Sequence, residues 1–145
     1  MVRVCRINDD VEFAHERLPL PQYETAGAAG MDLRARLAVV LQPGEAVLIW
    51  TGVAMEIPPG YEGQVRGRGS LARKGVLAHV GTVDSDYRGE IGVVLFNLGR
   101  EEYTIYRGDR VGQLVVAPVA KVELEEVLLL EETARGSGGF GSTGR

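Results

Sequence analysis

The sequence has one cysteine, Cys5, and two histidines, His15 and His79, among its 145 residues. A single thiol excludes an internal disulfide, and one cysteine with two distant histidines is a poor donor set for zinc. That weighs against a zinc-dependent deaminase or metalloprotease. No apolar run approaches the roughly 18 residues of a membrane span, and no charged-then-apolar leader opens the chain. The expected location is therefore the cytoplasm, with no membrane partner. Positive charge is also scarce, since 16 Lys and Arg face 20 Asp and Glu for a net charge of −4. This excludes a general polyanion-binding surface, and nucleic acid with it. An anionic ligand must be held locally, and Arg66, Arg68, Arg73 and Lys74 form the densest group of cations.

What is abundant is glycine, with 20 residues, in a chain that is 45% hydrophobic and 25% charged. Those fractions describe one globular domain large enough for a core. Short β-rich runs dominate. Residues 1–7 alternate as a strand does; 37–41 and 46–50 flank Gln42-Pro43-Gly44-Glu45 as a hairpin. Further runs occupy 53–57, 61–66, 91–96, 103–106 and 112–119. Helix signals are weak: Ser70 is placed to cap one turn over 70–74, and 122–132 permits either helix or strand. Many short strands at intervals of about 8–12 residues predict an all-β barrel, sandwich or roll.

Five segments carry chemistry. Arg135-Gly-Ser-Gly-Gly-Phe-Gly-Ser-Thr-Gly-Arg145 offers glycines whose N–H groups can turn inward as a phosphate-sized nest, with hydroxyls, two cations and one ring. The lysine of a Walker loop is missing, and no helix follows to cradle a phosphate. The arm is expected either to be a plain flexible terminus or to close over a site built elsewhere. Gly81-Thr-Val-Asp-Ser-Asp-Tyr-Arg-Gly-Glu90 places Asp84 and Asp86 on one side if extended, whereas a turn would break that alternation. A buried aspartate beside a phosphate ester suits a general base. Val65-Arg-Gly-Arg-Gly-Ser-Leu-Ala-Arg-Lys-Gly75 is either an anion site or a solvated basic loop. Asp32, in Ala29-Gly-Met-Asp-Leu-Arg34, suits either a water-mediated Mg²⁺ contact or a solvated strand end. Gln113, in Gly108-Asp-Arg-Val-Gly-Gln-Leu114, needs polar partners if buried.

In this order, the five segments resemble the five motifs of trimeric dUTPases, over residues 29–144. The resemblance implies a dUTPase-like β-roll or jelly roll, a distorted barrel over residues 1–134, with residues 135–145 as a flexible phosphate-binding arm. It implies hydrolysis of dUTP to dUMP and pyrophosphate, with Mg²⁺ on the triphosphate, by a homotrimer whose sites lie between subunits. By motif match, Asp84 activates water for attack on the α-phosphorus. Tyr87 packs on the deoxyribose and leaves no space for a 2′-hydroxyl. Gly81, Thr82, Val83 and Gly92 form the hairpin whose backbone reads uracil, and Phe140 stacks over the base. Arg68, Gly69, Ser70 and Gln113 bind phosphate; Arg135, Gly141, Ser142 and Thr143 close on it, from a neighbouring subunit's arm. Asp32 reaches Mg²⁺ through water.

One departure stands out: the second motif of the family reads Arg-Ser-Gly or Arg-Ser-Ser, and here it is Arg68-Gly69-Ser70. Either Ser70 acts from a shifted position or the Gly69 N–H acts with water. Gly67-Arg-Gly-Ser-Leu-Ala-Arg73 also resembles the dCTP deaminases of the same fold family. Those need a glutamate on the strand after the third motif, and residues 91–96 contain no carboxylate. A non-catalytic dUTP-binding regulator is a further alternative, against which Asp84 and the complete arm speak.

Overall fold

The computed structural model describes residues 1–7 and 17–139. Among these residues the regular structure is eleven short strands and a single helical turn. The strands are β1 (Arg3–Arg6), β2 (Met31–Arg34), β3 (Val39–Leu41), β4 (Ala46–Trp50), β5 (Val53–Glu56) and β6 (Tyr61–Arg66). After α1 (Gly69–Ala72) come β7 (Val76–Ala78), β8 (Gly81–Val83), β9 (Gly92–Asn97), β10 (Tyr103–Ile105) and β11 (Arg110–Pro118). All pairing is antiparallel, in sheets ordered β2-β11-β6-β8, β4-β9-β7, β1-β5 and β10-β3. The result is an all-β, barrel-like arrangement of open sheets.

The period of two in the sequence places the core. Along β9 the side chains alternate, with Val93 and Leu95 fully buried and Gly92, Val94 and Phe96 on the other face. Leu33, Leu41, Ile57, Ile91, Ile105 and Leu114 complete the same apolar interior. Gly112 brings two sheets close: a Cβ there would lie 3.2 Å from Val93 Cγ1 of β9. Asn97, buried at the end of β9, is satisfied throughout. Its amide nitrogen donates to the Leu41 and Glu101 carbonyls at 2.9 and 2.8 Å, and its Oδ1 accepts the Gly99 N–H.

Three expectations need correction. The turn at residues 42–45 exists, with Gly44 at φ +78 and the Glu45 N–H donating to the Gln42 carbonyl. Its flanking strands do not pair with each other, because β3 joins β10 and β4 joins β9. The turn is instead bonded to Asn97 through the Gly44 N–H and the Glu45 carbonyl, so the chain crosses from one sheet to another there. Ser70 does not cap α1: Arg68, in extended conformation, occupies the N-cap without a side-chain bond. Residues 122–132 form neither helix nor strand. Leu124, Leu128, Leu129 and Leu130 are solvent-exposed there, so no apolar face of the chain stabilises a regular element.

The strand β1 is held to β5 by its ladder and by Arg3, whose guanidinium donates to Glu56 Oε1 at 2.6 Å. That hydrogen bond holds the Glu56 carboxyl below its ordinary range and raises Arg3. A lowered folded-state value means that the tie contributes above the unfolded carboxyl value, about 4.3, and is lost as pH falls through the folded one. Amide exchange in β1, corrected for its intrinsic pH dependence, should therefore accelerate relative to β9 on acidification. Arg3→Ala should remove that difference; an unchanged pH response in the variant would assign the effect to another group.

Candidate functional site

The segment from β7 to β9 sets the geometry of the site. β7 pairs with β9 from Val76–Asn97 to Ala78–Leu95, and the last link is the His79 N–H to the Val94 carbonyl at 2.9 Å. Beyond that link the two arms separate, since β8 pairs with β6 and β9 with β4. A pocket of about 240 Å³ opens between them, lined by Gly81, Thr82 and Val83 on one arm and Ile91 and Gly92 on the other. Among the described residues no strand pairing joins β8 to β9, so main-chain groups border this pocket. Backbone edges without a strand partner are hydrogen-bonding surfaces with a fixed donor and acceptor pattern.

Asp84 and Tyr87 line the same pocket. The Tyr87 N–H donates to the Asp84 carbonyl at 3.1 Å, so this stretch is a turn, and Asp84 and Asp86 do not share the face of a strand. Asp84 is exposed rather than buried, and among the described residues nothing is hydrogen-bonded or ion-paired to its carboxylate. On its other side it borders a more polar hollow of about 390 Å³ shared with Ser85, Asp86 and Lys121. The Tyr87 ring is held at its hydroxyl end. Its hydroxyl donates to the Glu90 carbonyl at 2.9 Å, and its ring lies so close to Gly89 that a Cβ there would meet Cζ at 2.5 Å.

Residues the sequence reading missed complete the support. The Glu90 carboxylate accepts the Gly52 N–H at 2.7 Å and lies 3.5 Å from Arg36 Nε, with little exposure of either side chain. Arg88 donates to the Ser85 and Tyr87 carbonyls and holds the turn closed. Glu90 was the one legible signal, a charged residue next to an apolar strand. Leu48 and Trp50 reach the pocket from β4, which no local pattern announces.

The remaining candidates gather elsewhere. Asp32, Gln113 and Arg66 stand side by side across β2, β11 and β6. Arg68 and Arg110 flank the Asp32 carboxylate at 3.3 and 3.2 Å. Gln113 donates to the Gly67 carbonyl at 3.3 Å and packs against Gly30, where a Cβ would lie 2.6 Å from its Oε1. Arg68 and Ser70 line a polar hollow of about 250 Å³ with Lys74, Tyr103 and Arg110. Gly69 has open space where a Cβ would stand, so no clash within the chain demands glycine at this position. Arg135 is engaged locally, donating to the Gly138 carbonyl at 2.9 Å. Phe140, Gly141, Ser142 and Thr143 lie outside the described residues.

The two groups share no lining residue, and their aspartates stand far apart. β8 and β2 are opposite edges of the four-stranded sheet, three steps of about 4.8 Å apart, or roughly 14 Å. No group of three or more His, Cys, Asp or Glu side chains fit to hold a metal occurs among the described residues. The described residues therefore offer a divalent cation no cage of their own. Asp32, with lone pairs beyond those facing the two arginines, is compatible with a water-mediated contact to an ion carried by a polyphosphate.

Known proteins share both the sequence and this architecture. A family model described as dUTPase matches residues 16–144. A deoxyuridine 5′-triphosphate nucleotidohydrolase of Anaeromyxobacter sp. (strain Fw109-5) is 59% identical over 131 residues, covering 88% of this chain and 89% of that protein. One from Methylocella silvestris is 54% identical over 134 residues, covering 88% and 84%. Among solved structures, a Staphylococcus bacteriophage 80alpha dUTPase with dUPNHPP superposes with a TM-score of 0.88 at 26% identity, covering 100% of this chain and 99% of that one. A mutant dUTPase from phage phi11 of S. aureus, described with a structural Mg(II) ion, gives a TM-score of 0.79 at 26% identity, covering 91% and 99%. Matched by the dUTPase family model over residues 16–144, 54% and 59% identical to two nucleotidohydrolases over 88% of its length, and similar in fold to phage dUTPases, this chain belongs to the dUTPase family.

Proposed function

We propose that this chain hydrolyses dUTP to dUMP and pyrophosphate, with Asp84 as the general base. The observation that carries this reading is the pocket between the separated arms of β8 and β9, with Asp84 and Tyr87 beside it. Uracil presents an N–H between two carbonyls, and a fixed row of backbone donors and acceptors can match that pattern. Cytosine reverses part of it and would leave main-chain groups unpaired, which is a strong basis for rejection. The Tyr87 ring, immobilised over Gly89, packs on the sugar where a 2′-hydroxyl would otherwise sit.

Asp84 takes a proton from water as the water oxygen bonds to the α-phosphorus. The bond from that phosphorus to the oxygen bridging to the β-phosphate breaks, and pyrophosphate leaves. Water reaches Asp84 from the polar hollow on its far side. Asp32 would hold Mg²⁺ through water, and the ion, carried by the triphosphate, would supply neutralisation of its charge. Arg68, Ser70 and Gln113 bind the phosphates.

The site is shared between copies in a homotrimer, a reading supported by the placing of Asp84 and Asp32 at opposite edges of one sheet, with β11 and β6 between them. Two further features support assembly. Away from the nucleoside pocket, β7 exposes Leu77, and residues 119–132 expose Val119, Val122, Leu124 and Leu128. Apolar surface of this extent marks contact with another protein surface. Residues 135–145 act as an arm that closes over the nucleotide bound between neighbouring copies, with Phe140 on the base and Arg135, Gly141, Ser142 and Thr143 on the phosphates.

The test is pyrophosphate release from dUTP, dCTP, dTTP and UTP, each with and without Mg²⁺, with ammonia measured alongside. Release from dUTP with no ammonia is expected. Ammonia from dCTP would select a deaminase, and binding without product a regulator. Tyr87→Ala should admit UTP; sugar discrimination equal to the unmodified chain would remove Tyr87 from that role. In the second motif, Ser70→Ala should raise KM for dUTP by about tenfold, the loss of one charge-assisted hydrogen bond. Adding Gly69→Ser should recover most of it, since open space surrounds that position. A Ser70→Ala protein with an unchanged KM would assign the contact to the Gly69 backbone.

A further inference from the structure

Trp50 is the sole tryptophan of the chain, and it stands at the end of β4 with part of its ring exposed. In the ladder it is directly opposite Gly92, and Leu48 is opposite Val94. Both side chains lean over Gly92: a Cβ there would meet Leu48 Cδ1 at 2.5 Å and the indole Cε3 and Cζ3 at 3.3 Å. They therefore occupy the space directly above the backbone of the residue on one arm of the nucleoside pocket. Behind the indole lies a second, apolar hollow of about 180 Å³ bordered by Leu37 and Val39. Trp50 and Leu48 thus border both the nucleoside pocket and this hollow.

An indole in that place has two consequences. It offers a large flat apolar surface at low entropic cost, because only two torsions are fixed. It also takes up space at the pocket's border, so that shortening the side chain would enlarge a cavity of about 240 Å³. We propose that Trp50 is a specificity-determining residue whose indole, held over Gly92, walls the pocket to the size of an unsubstituted pyrimidine. The inference rests on the reading of that pocket as the uracil site. One methyl group in a tight apolar pocket is worth about 10–200-fold in selectivity, so such a wall is able to separate uracil from its 5-methyl analogue.

The sole tryptophan makes the test direct. Indole emission of the full-length protein is titrated with dUMP and with a non-hydrolysable α,β-imido dUTP. Pyrophosphate release from dUTP and dTTP is measured for the unmodified chain, Trp50→Phe and Trp50→Ala, with sedimentation of each. Saturable quenching or a shift of emission is expected with both ligands. Trp50→Ala should raise KM for dUTP more than it lowers kcat, and narrow the dUTP-to-dTTP ratio of kcat/KM by about tenfold, with Trp50→Phe between. Emission that stays constant while the analogue inhibits turnover would overturn the proposal. So would a Trp50→Phe protein with unchanged selectivity, or a change confined to the sedimentation of the variants, which would make Trp50 a contact between copies. Should Trp50→Ala not fold, Trp50→Phe and the native emission decide. If the unmodified chain releases pyrophosphate from no nucleotide, the hydrolase reading fails. The wall then stands or falls on whether dUMP changes the emission.

Discussion

Asp84→Asn is expected to slow pyrophosphate release from dUTP by about 100-fold or more, while binding of a non-hydrolysable dUTP analogue stays near that of the unmodified chain. Asparagine matches aspartate in size and retains a carbonyl oxygen, but it cannot accept a proton at neutral pH. The substitution disturbs little else, because no ion pair or hydrogen bond among the described residues depends on the Asp84 carboxylate. Neither does the turn it sits in, which is closed by the Asp84 main-chain carbonyl and by Arg88. Steady-state release together with calorimetric binding separates the two effects. Turnover within a few-fold of normal would take Asp84 out of the mechanism.

Ending the chain after Ala134 should abolish most turnover and leave the β fold in place. The fully buried core side chains lie between Leu33 and Leu114, and the described part of the arm bonds only locally, through Arg135 to Gly138 and Gly136 to Thr133. A sharper form of the experiment mixes this shortened chain with Asp84→Asn under conditions that exchange subunits. Each protein alone lacks one necessary part. If a site takes Asp84 from one copy and the arm from another, random mixing restores about a quarter of normal activity, the chance that both intact parts meet. An arm that serves its own chain's Asp84 would give no recovery, and that result would sink the shared-site proposal.

Several strands were legible because their residues obey simple local rules. Residues 61–66 coincide with β6, and the apolar stretch near 91–96 differs from β9 by one residue at each end. Alternation and bounding glycines mark such segments wherever they lie. Gly81, Thr82, Val83, Asp84, Tyr87 and Gly92 were named from their motif, and they share one pocket. Ser70 illustrates the limit. A serine before Leu-Ala reads as a cap, yet the helical turn begins one residue earlier, with Arg68 at its N-cap, because backbone conformation rather than side-chain preference sets the boundary here. Residues 122–132 mark another: their leucines carry a real hydrophobic signal, but it has no matching surface in the same chain.

By itself, the sequence determined the class of the fold, the set of chemical groups available and the exclusions that follow from one cysteine and two histidines. These depend on composition and short spacings, which the chain displays without folding. Only the tertiary structure decided that β3 and β4 part company at their turn, that β8 leaves β9 to open a pocket between main-chain edges, and that Trp50 lines it. It also decided that Asp32 and Asp84 stand at opposite edges of one sheet. The reason is that strand pairing is a long-range choice. Each strand has two edges, each satisfied by whichever partner also buries the correct face, and no window of neighbouring residues contains that information.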